Sequence, residues 1–205
     1  MIRIILIFST WVFAQQADHL LLTQVVTQPH AAESFSIYNP TGSSIDLTNY
    51  YVCDDENYYE MQCNWDENNN ECSTEVAMAP SHPVFGFTAQ FPPIFIPAGD
   101  TFHIVLSENY NEFYGEDFSP DLLMYPSNET SMLETDTNSF GSGNGKIHDS
   151  SELIILFKWD GEANHRIEDV DYFLWGSHAR INKTGISDYL YDSSTENQYF
   201  DRIAP

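Results

Sequence analysis

Three cysteines, Cys53, Cys63 and Cys72, lie close together in the chain. In an exported protein, thiols at such spacing form disulfides. Cys63 and Cys72 flank an acidic, asparagine-rich loop, and a disulfide across it would stabilise the fold by about 2 to 3 kcal/mol because it restricts the unfolded chain. This pairing leaves Cys53 as a buried thiol on a strand. Pairing of Cys53 with Cys63 stays open as an alternative, because spacing does not determine connectivity.

The same region carries carboxylates that suit calcium, a cation that takes oxygen ligands. The candidate ligands are Asp54, Asp55, Asp66 and Glu67. Counted from Asp66, the twelve-residue calcium-loop template fails, because its sixth position is Glu71 instead of glycine and its twelfth is Ala77 instead of glutamate. A calcium site would therefore have another design, and solvated loop carboxylates are the alternative. We expect no other cofactor.

Nucleophilic catalysis has one candidate pairing, Ser177 next to His178, with Asp169 and Asp171 upstream as orienting carboxylates. Adjacent residues on an extended segment point in opposite directions, so the hydroxyl and the imidazole would not meet. With 31 acidic residues in the chain, no pair is singled out for glycoside hydrolysis. We therefore predict no catalytic site, and a hydrolase with a site at the loop end of the fold is the alternative.

Four tyrosines lie in long segments between the predicted strands, where their rings are available for recognition. These candidate recognition residues are Tyr58, Tyr59, Tyr110 and Tyr114. Tyrosine combines a large apolar ring with a polar hydroxyl, which suits both sugar and protein partners.

The charge balance excludes two classes of partner. The chain has 31 acidic residues against 7 lysines and arginines, a formal net charge of −24. A field of this sign repels phosphate backbones and anionic lipid surfaces. We therefore expect no binding to nucleic acid or to membrane surfaces, and a protein or glycan partner instead.

The N-terminus is typical of a signal peptide over residues 1–14. Arg3 precedes a nearly continuous apolar run from Ile4 to Phe13, and polar Gln15 follows at once. The run is too short for a membrane helix, which needs about 20 apolar residues, and no later run reaches that length. The sequence thus predicts a secreted or cell-surface protein with no membrane segment after the signal peptide is removed.

Short alternating segments without an amphipathic helix predict an all-β fold. The predicted strands cover residues 20–27, 33–39, 49–53, 101–106, 152–159 and 168–175. Phe35 and Ile37 alternate with Ser34 and Ser36, which predicts a strand with these two pairs on opposite faces, followed by a turn. The apolar run at 153–157 predicts a strand buried on both faces.

The last predicted strand follows a hairpin signal, Asp-Gly at 160–161. Its alternation predicts one apolar face and one mixed face. The first face would carry Val170, Tyr172 and Leu174, and the second Asp169, Asp171 and Phe173.

Two excursions, 54–93 and 107–151, are long for loops in a compact domain, and such loops are often functional. Within the second, Glu112 to Gly115 is predicted to end a short helix. Residues 177–205 are expected to form a tail or linker that continues into a longer protein.

Several segments, in order, resemble the lamin-tail domain, specifically its secreted bacterial branch. They are Ser-Ile-Tyr-Asn-Pro-Thr-Gly at 36–42, Asp-Leu at 46–47, Tyr-Tyr at 50–51, Pro-Ala-Gly-Asp at 97–100 and Asp-Val-Asp-Tyr-Phe-Leu-Trp-Gly at 169–176. The resemblance implies an immunoglobulin-like antiparallel β-sandwich over residues 18–176, with long loop excursions. It implies no reaction, because the family is not defined by a catalytic site.

These observations together predict a non-catalytic module that serves adhesion, spacing or protein interaction outside the cell. A carbohydrate- or calcium-binding accessory module of a larger exported protein is the alternative of a different class. Function must be argued from a site, which the sequence does not locate by itself.

Overall fold

The computed structural model describes residues 17–54, 58, 65–66, 71–72, 87–125, 131–135, 147–150, 152–161 and 167–175. The predicted signal peptide at 1–14 and the predicted tail at 177–205 lie outside these residues.

The described residues form thirteen strands and one short α-helix. The strands are β1 (Leu21–Val26), β2 (Ser34–Tyr38), β3 (Ile45–Asp46), β4 (Tyr50–Cys53), β5 (Trp65–Asp66), β6 (Glu71–Cys72), β7 (Thr88–Gln90), β8 (Phe95–Ile96), β9 (Thr101–Val105), β10 (Leu122–Leu123), β11 (Leu133–Glu134), β12 (Glu152–Lys158) and β13 (Glu168–Trp175). The helix is α1 (Asn111–Tyr114), and a 3₁₀ turn covers His30–Ala32. All six predicted strands are confirmed, and the all-β prediction with them.

Two larger sheets form a sandwich-like fold. One has the order β1-β2-β9-β10 and the other β11-β7-β4-β12-β13; β3 pairs with β8, and β5 with β6. The pairs are antiparallel except β9 with β10, which run parallel. The predicted antiparallel sandwich is confirmed, apart from this one parallel pair.

The main core lies where the two sheets face each other. Phe35 and Ile37 of β2 are fully buried in it with Ile154 and Leu156 of β12. Burying a side chain of this size stabilises a fold by about 1.5 to 3 kcal/mol. The predicted alternation along β2 is therefore confirmed.

A second apolar cluster covers the opposite face of the five-stranded sheet. Ile155 and Phe157 of β12 pack there with Tyr51, and the ring centroids of Tyr51 and Phe157 lie 5.3 Å apart. Strand β12 lies between β4 and β13 and is buried on both faces, as its continuous apolar run predicted.

The predicted alternation along β13 is wrong in its first half, because the strand contains a β-bulge. Leu156 pairs with Asp171 and Phe157 with Asp169, so Val170 is an extra residue without a partner across the ladder. Val170 consequently packs in the main core, while Tyr172 packs in the second cluster. Asp169 and Asp171 are both buried, although the strand was expected to have one mixed face.

Two turns are joined by Asn39, which is fully buried. Its Nδ2 donates hydrogen bonds to the carbonyl oxygens of Ser43, Ile96 and Pro97, at 2.8, 3.0 and 3.1 Å. Its Oδ1 accepts the backbone amide of Thr41 at 3.0 Å. The turn after β2 is thereby fixed against the turn before β9, where Gly99 has a φ of +76° that favours glycine.

Candidate recognition site

Helix α1 is a single turn whose end is fixed by glycine. Gly115 has a φ of +88° and donates its backbone amide to the carbonyl oxygen of Asn111 at 2.9 Å. A left-handed residue stops the helix at this point, and glycine adopts it without steric cost. The predicted end of the helix is therefore confirmed.

Tyr114 attaches this helix to the outer face of the four-stranded sheet. Its hydroxyl donates to the carbonyl oxygen of Ala32 at 2.8 Å and lies 3.1 Å from Ser34 Oγ. Its ring stacks on Phe118, with 4.5 Å between the ring centroids. These contacts position the segment from Ser107 to Phe118 relative to the sheet.

One aromatic ring on α1 faces solvent. Phe113 is 54% exposed, and its ring meets that of Tyr114 edge to face with 5.0 Å between centroids. A phenyl ring held in place and largely open to water is typical of a contact residue in an interface, where aromatic side chains are enriched.

A groove of about 380 Å³ runs beside α1, and we call it the α1 groove. Its lining includes Leu106, Glu108, Tyr110, Asn111, Leu123 and Tyr125. The volume is within the range of small ligand pockets, about 300 to 1,000 Å³. The two leucines contribute apolar surface to the lining, and Glu108, Asn111 and the tyrosines contribute polar groups.

The polar groups that line the α1 groove include the Glu108 carboxylate. Asn111 also lines the groove, but its Oδ1 is buried and has no hydrogen-bond partner in the described part of the chain. Burial raises the pKa of the Tyr125 hydroxyl, and the negative charges of Asp54 and then Glu33 raise it further.

The predicted recognition tyrosines that the structure describes lie in different environments. Tyr110 lines the α1 groove, and its ring meets Phe118 at 6.1 Å between centroids. Tyr114 is half-buried beside it and supports the segment. Tyr58 is a correction: it is fully buried in the second cluster, and its hydroxyl donates to Asp169 Oδ1 at 2.6 Å. Tyr59 lies outside the described residues.

Of the calcium candidates, only the side chain of Asp54 is described. It is buried, and its Oδ1 accepts the backbone amide of Phe87 at 2.8 Å, so it is not a solvated loop carboxylate. Asp55 and Glu67 lie outside the described residues, and Asp66 is placed only by the backbone pairing of β5 with β6. Among the described residues no three His, Cys, Asp or Glu side chains form a metal-binding group.

The cysteines are described in part. Cys53 is buried, and its Sγ lies 3.1 Å from Thr88 Oγ1. Cys63 is outside the described residues, and the backbone of Cys72 pairs with that of Trp65. The disulfide between Cys63 and Cys72 stays a prediction.

A hydroxyl and an imidazole meet on adjacent strands, a pairing that sequence spacing did not reveal. Ser36 Oγ lies 2.8 Å from His103 Nδ1, because the two residues are directly opposite each other on β2 and β9. Ser36 is only 3% exposed, and the nearby Asp121 carboxylate accepts the backbone amide of His103. The pair thus holds two strands together and gives a substrate little access to the hydroxyl. Ser177 and His178 lie outside the described residues.

Helices long and apolar enough to cross a membrane are absent from the described residues.

No protein-family model matches this chain, and no curated protein sequence matches it. Among solved structures, the chain is similar to a DUF4876 family protein from Bacteroides thetaiotaomicron, with a TM-score of 0.45 and 11% sequence identity. The similarity covers 76% of this chain and 53% of the other, so this chain spans about half the length of that protein.

Proposed function

We propose that this chain is a non-catalytic module of a secreted or cell-surface protein, and that it binds a protein partner through the α1 groove and Phe113. The observation that carries the proposal is the combination of an exposed aromatic ring, Phe113, with a groove beside the same helix that is lined by Tyr110 and Tyr125. Central pockets flanked by aromatic side chains supply most of the binding energy in protein interfaces.

The use of the buried polar groups supports a non-catalytic role. The Asp54 carboxylate binds a backbone amide, the Asp169 carboxylate binds the hydroxyl of Tyr58, and Ser36 binds His103 across two strands. Each of these contacts joins separate parts of the fold. General acids and nucleophiles act instead from positions that a substrate reaches.

The resemblance to secreted lamin-tail domains supports the same proposal. Two of the segments that carry it, around Asn39 and Gly99, meet in one pair of turns. The charge of −24 is also suited to an extracellular surface that avoids nucleic acid and anionic lipid.

An array of purified extracellular proteins and defined glycans, probed with the full chain, tests this proposal. We expect signal on protein spots, reduced about tenfold by Tyr110→Ala, which removes a ring from the groove wall. Tyr38→Ala is the matched control, because Tyr38 is a half-buried tyrosine on β2 that does not line the groove.

Three results would contradict the proposal. Protein binding that Tyr110→Ala leaves unchanged would place the interface elsewhere. Signal on glycans alone would favour a carbohydrate-binding module. Turnover of nitrophenyl esters, glycosides or phosphates above that of buffer would favour a hydrolase.

A further inference from the structure

The α1 groove combines three properties that restrict the chemistry of its occupant. It presents a carboxylate, tyrosine rings and apolar side chains. The carboxylate belongs to the exposed Glu108, the rings are those of Tyr110 and Tyr125, and the apolar side chains include Leu106 and Leu123. An occupant with N–H donors and an apolar stem would match all three.

The charges around the groove favour a positively charged occupant. Within the described residues the one lysine or arginine is Lys158, on β12. Its Nζ lies 4.0 Å from Glu168 Oε2 and 5.2 Å from the centre of the Tyr50 ring, so it is engaged on the five-stranded sheet. The described residues that line the groove include Glu108 and no cationic side chain. The negative charges of Asp54 and Glu33 also help to raise the pKa of the Tyr125 hydroxyl, which lines the groove.

We propose that the α1 groove binds a cationic side chain, an arginine or a lysine, of the protein partner. This inference rests on the proposed function and names the group that the site recognises. The head group donates to the Glu108 carboxylate, while its aliphatic stem packs on the apolar side chains of the lining. A cation beside a tyrosine ring gains further attraction from the negative face of the ring.

The negative charge of the whole chain attracts a basic partner at long range. Because the chain has a formal net charge of −24, it attracts a basic surface over distances up to about 10 Å, the screening length in 0.1 M salt. Such steering raises association rates and weakens as ionic strength rises. A neutral sugar would gain nothing from this field.

The test is an NMR titration of the isotope-labelled full chain with N-acetyl-arginine amide and, separately, with N-acetyl-citrulline amide. Citrulline has nearly the shape of arginine but no charge. We expect saturable amide shifts at Leu106, Asn111 and Leu123 with the arginine probe, and binding of the citrulline probe that is weaker by about tenfold.

Variants separate the groove from the general charge of the chain. Glu108→Gln should weaken the arginine probe by about threefold, because an exposed ion pair is lost. Glu116→Gln is the matched control, because it removes the same charge from an exposed residue outside the groove lining, and it should leave binding within about twofold.

Equal binding of arginine and citrulline would overturn the inference, as would equal weakening by Glu108→Gln and Glu116→Gln. Amide shifts confined to residues outside the groove would also overturn the inference. A result in which glycans shift the groove residues and arginine does not would leave the groove a recognition site but refute the cationic occupant. The proposed function fails separately, when Tyr110→Ala has no effect on protein binding.

Discussion

The backbone amide of Gly99 donates a hydrogen bond to the carbonyl oxygen of Asn39, with 2.8 Å between nitrogen and oxygen. In return, the amide of Asn39 donates to the carbonyl oxygen of Asp100 at 2.9 Å. Two turns separated by about sixty residues are therefore joined by paired backbone bonds, with the Asn39 side chain filling the space between them.

Replacing Asn39 should lower the free energy of unfolding. Asn39→Ala removes the donor for three carbonyl oxygens and the acceptor for Thr41, so we expect the free energy of unfolding to fall by about 2 to 3 kcal/mol. Urea unfolding followed by circular dichroism measures this. Asn49→Ala, at an exposed position in a turn, should change the value by less than about 0.5 kcal/mol. Equal effects of the two substitutions would show that the side chain does not join the turns.

Asp171 should stabilise the sandwich by linking its two sheets. Its Oδ2 accepts the backbone amide of Leu22 on β1 at 2.8 Å, and its side chain is fully buried. Asp171→Ala should lower the free energy of unfolding by about 2 to 3 kcal/mol, because that buried amide loses its acceptor. Asp171→Asn keeps an acceptor oxygen and should cost less.

The control for Asp171 is Asp117→Ala on an exposed turn, which should stay within about 0.5 kcal/mol in the same urea experiment. A stability of Asp171→Ala equal to that of the control would refute the link between the sheets.

The hydroxyl of Tyr58 should matter for stability, although the ring was expected to face a partner. Tyr58→Phe removes the donor to the buried Asp169 carboxylate, so we expect a loss of about 1 to 2 kcal/mol in the free energy of unfolding. The matched change Tyr38→Phe removes a hydroxyl from a half-buried residue of β2 and should have a smaller effect. Thermal unfolding of both variants distinguishes them, and an unchanged midpoint for Tyr58→Phe would contradict the role of this bond.

Stability should decline at alkaline pH. Burial, assisted by the charge of Glu168, raises the pKa of Tyr50 to about 12 from its ordinary 10.0. Burial also raises the pKa of Tyr51 and of Tyr125. Because the unfolded chain releases these protons near pH 10 and the folded chain holds them longer, their contribution is complete below pH 10 and is lost as the pH rises toward 12.

Urea midpoints measured from about pH 8 to pH 11 should therefore fall at the upper end, and Tyr50→Phe should reduce this fall. A midpoint that stays level across the range would contradict the prediction.

The sequence by itself determined six of the thirteen described strands and some of their faces. Alternation along β2 and the apolar run of β12 are local signals, because the side-chain period of a strand is two residues wherever the strand pairs. The end of α1 at Gly115 is equally local, since it depends on the φ angle of one residue. The segments around Asn39 and Gly99 were noticed as motifs, but their contact was not foreseen.

Only the tertiary structure decided which polar groups are buried and which loops meet. The bulge at Val170 depends on how β13 aligns with β12, and it moved Asp171 toward Leu22, a residue 149 positions away. Tyr58 lies in the core, where its hydroxyl donates a hydrogen bond to Asp169. The α1 groove joins Tyr110 to Tyr125 through the packing of separate loops on the sheet. Period and turn chemistry act between neighbours in the chain, whereas a buried hydrogen bond or a groove requires partners that only folding brings together.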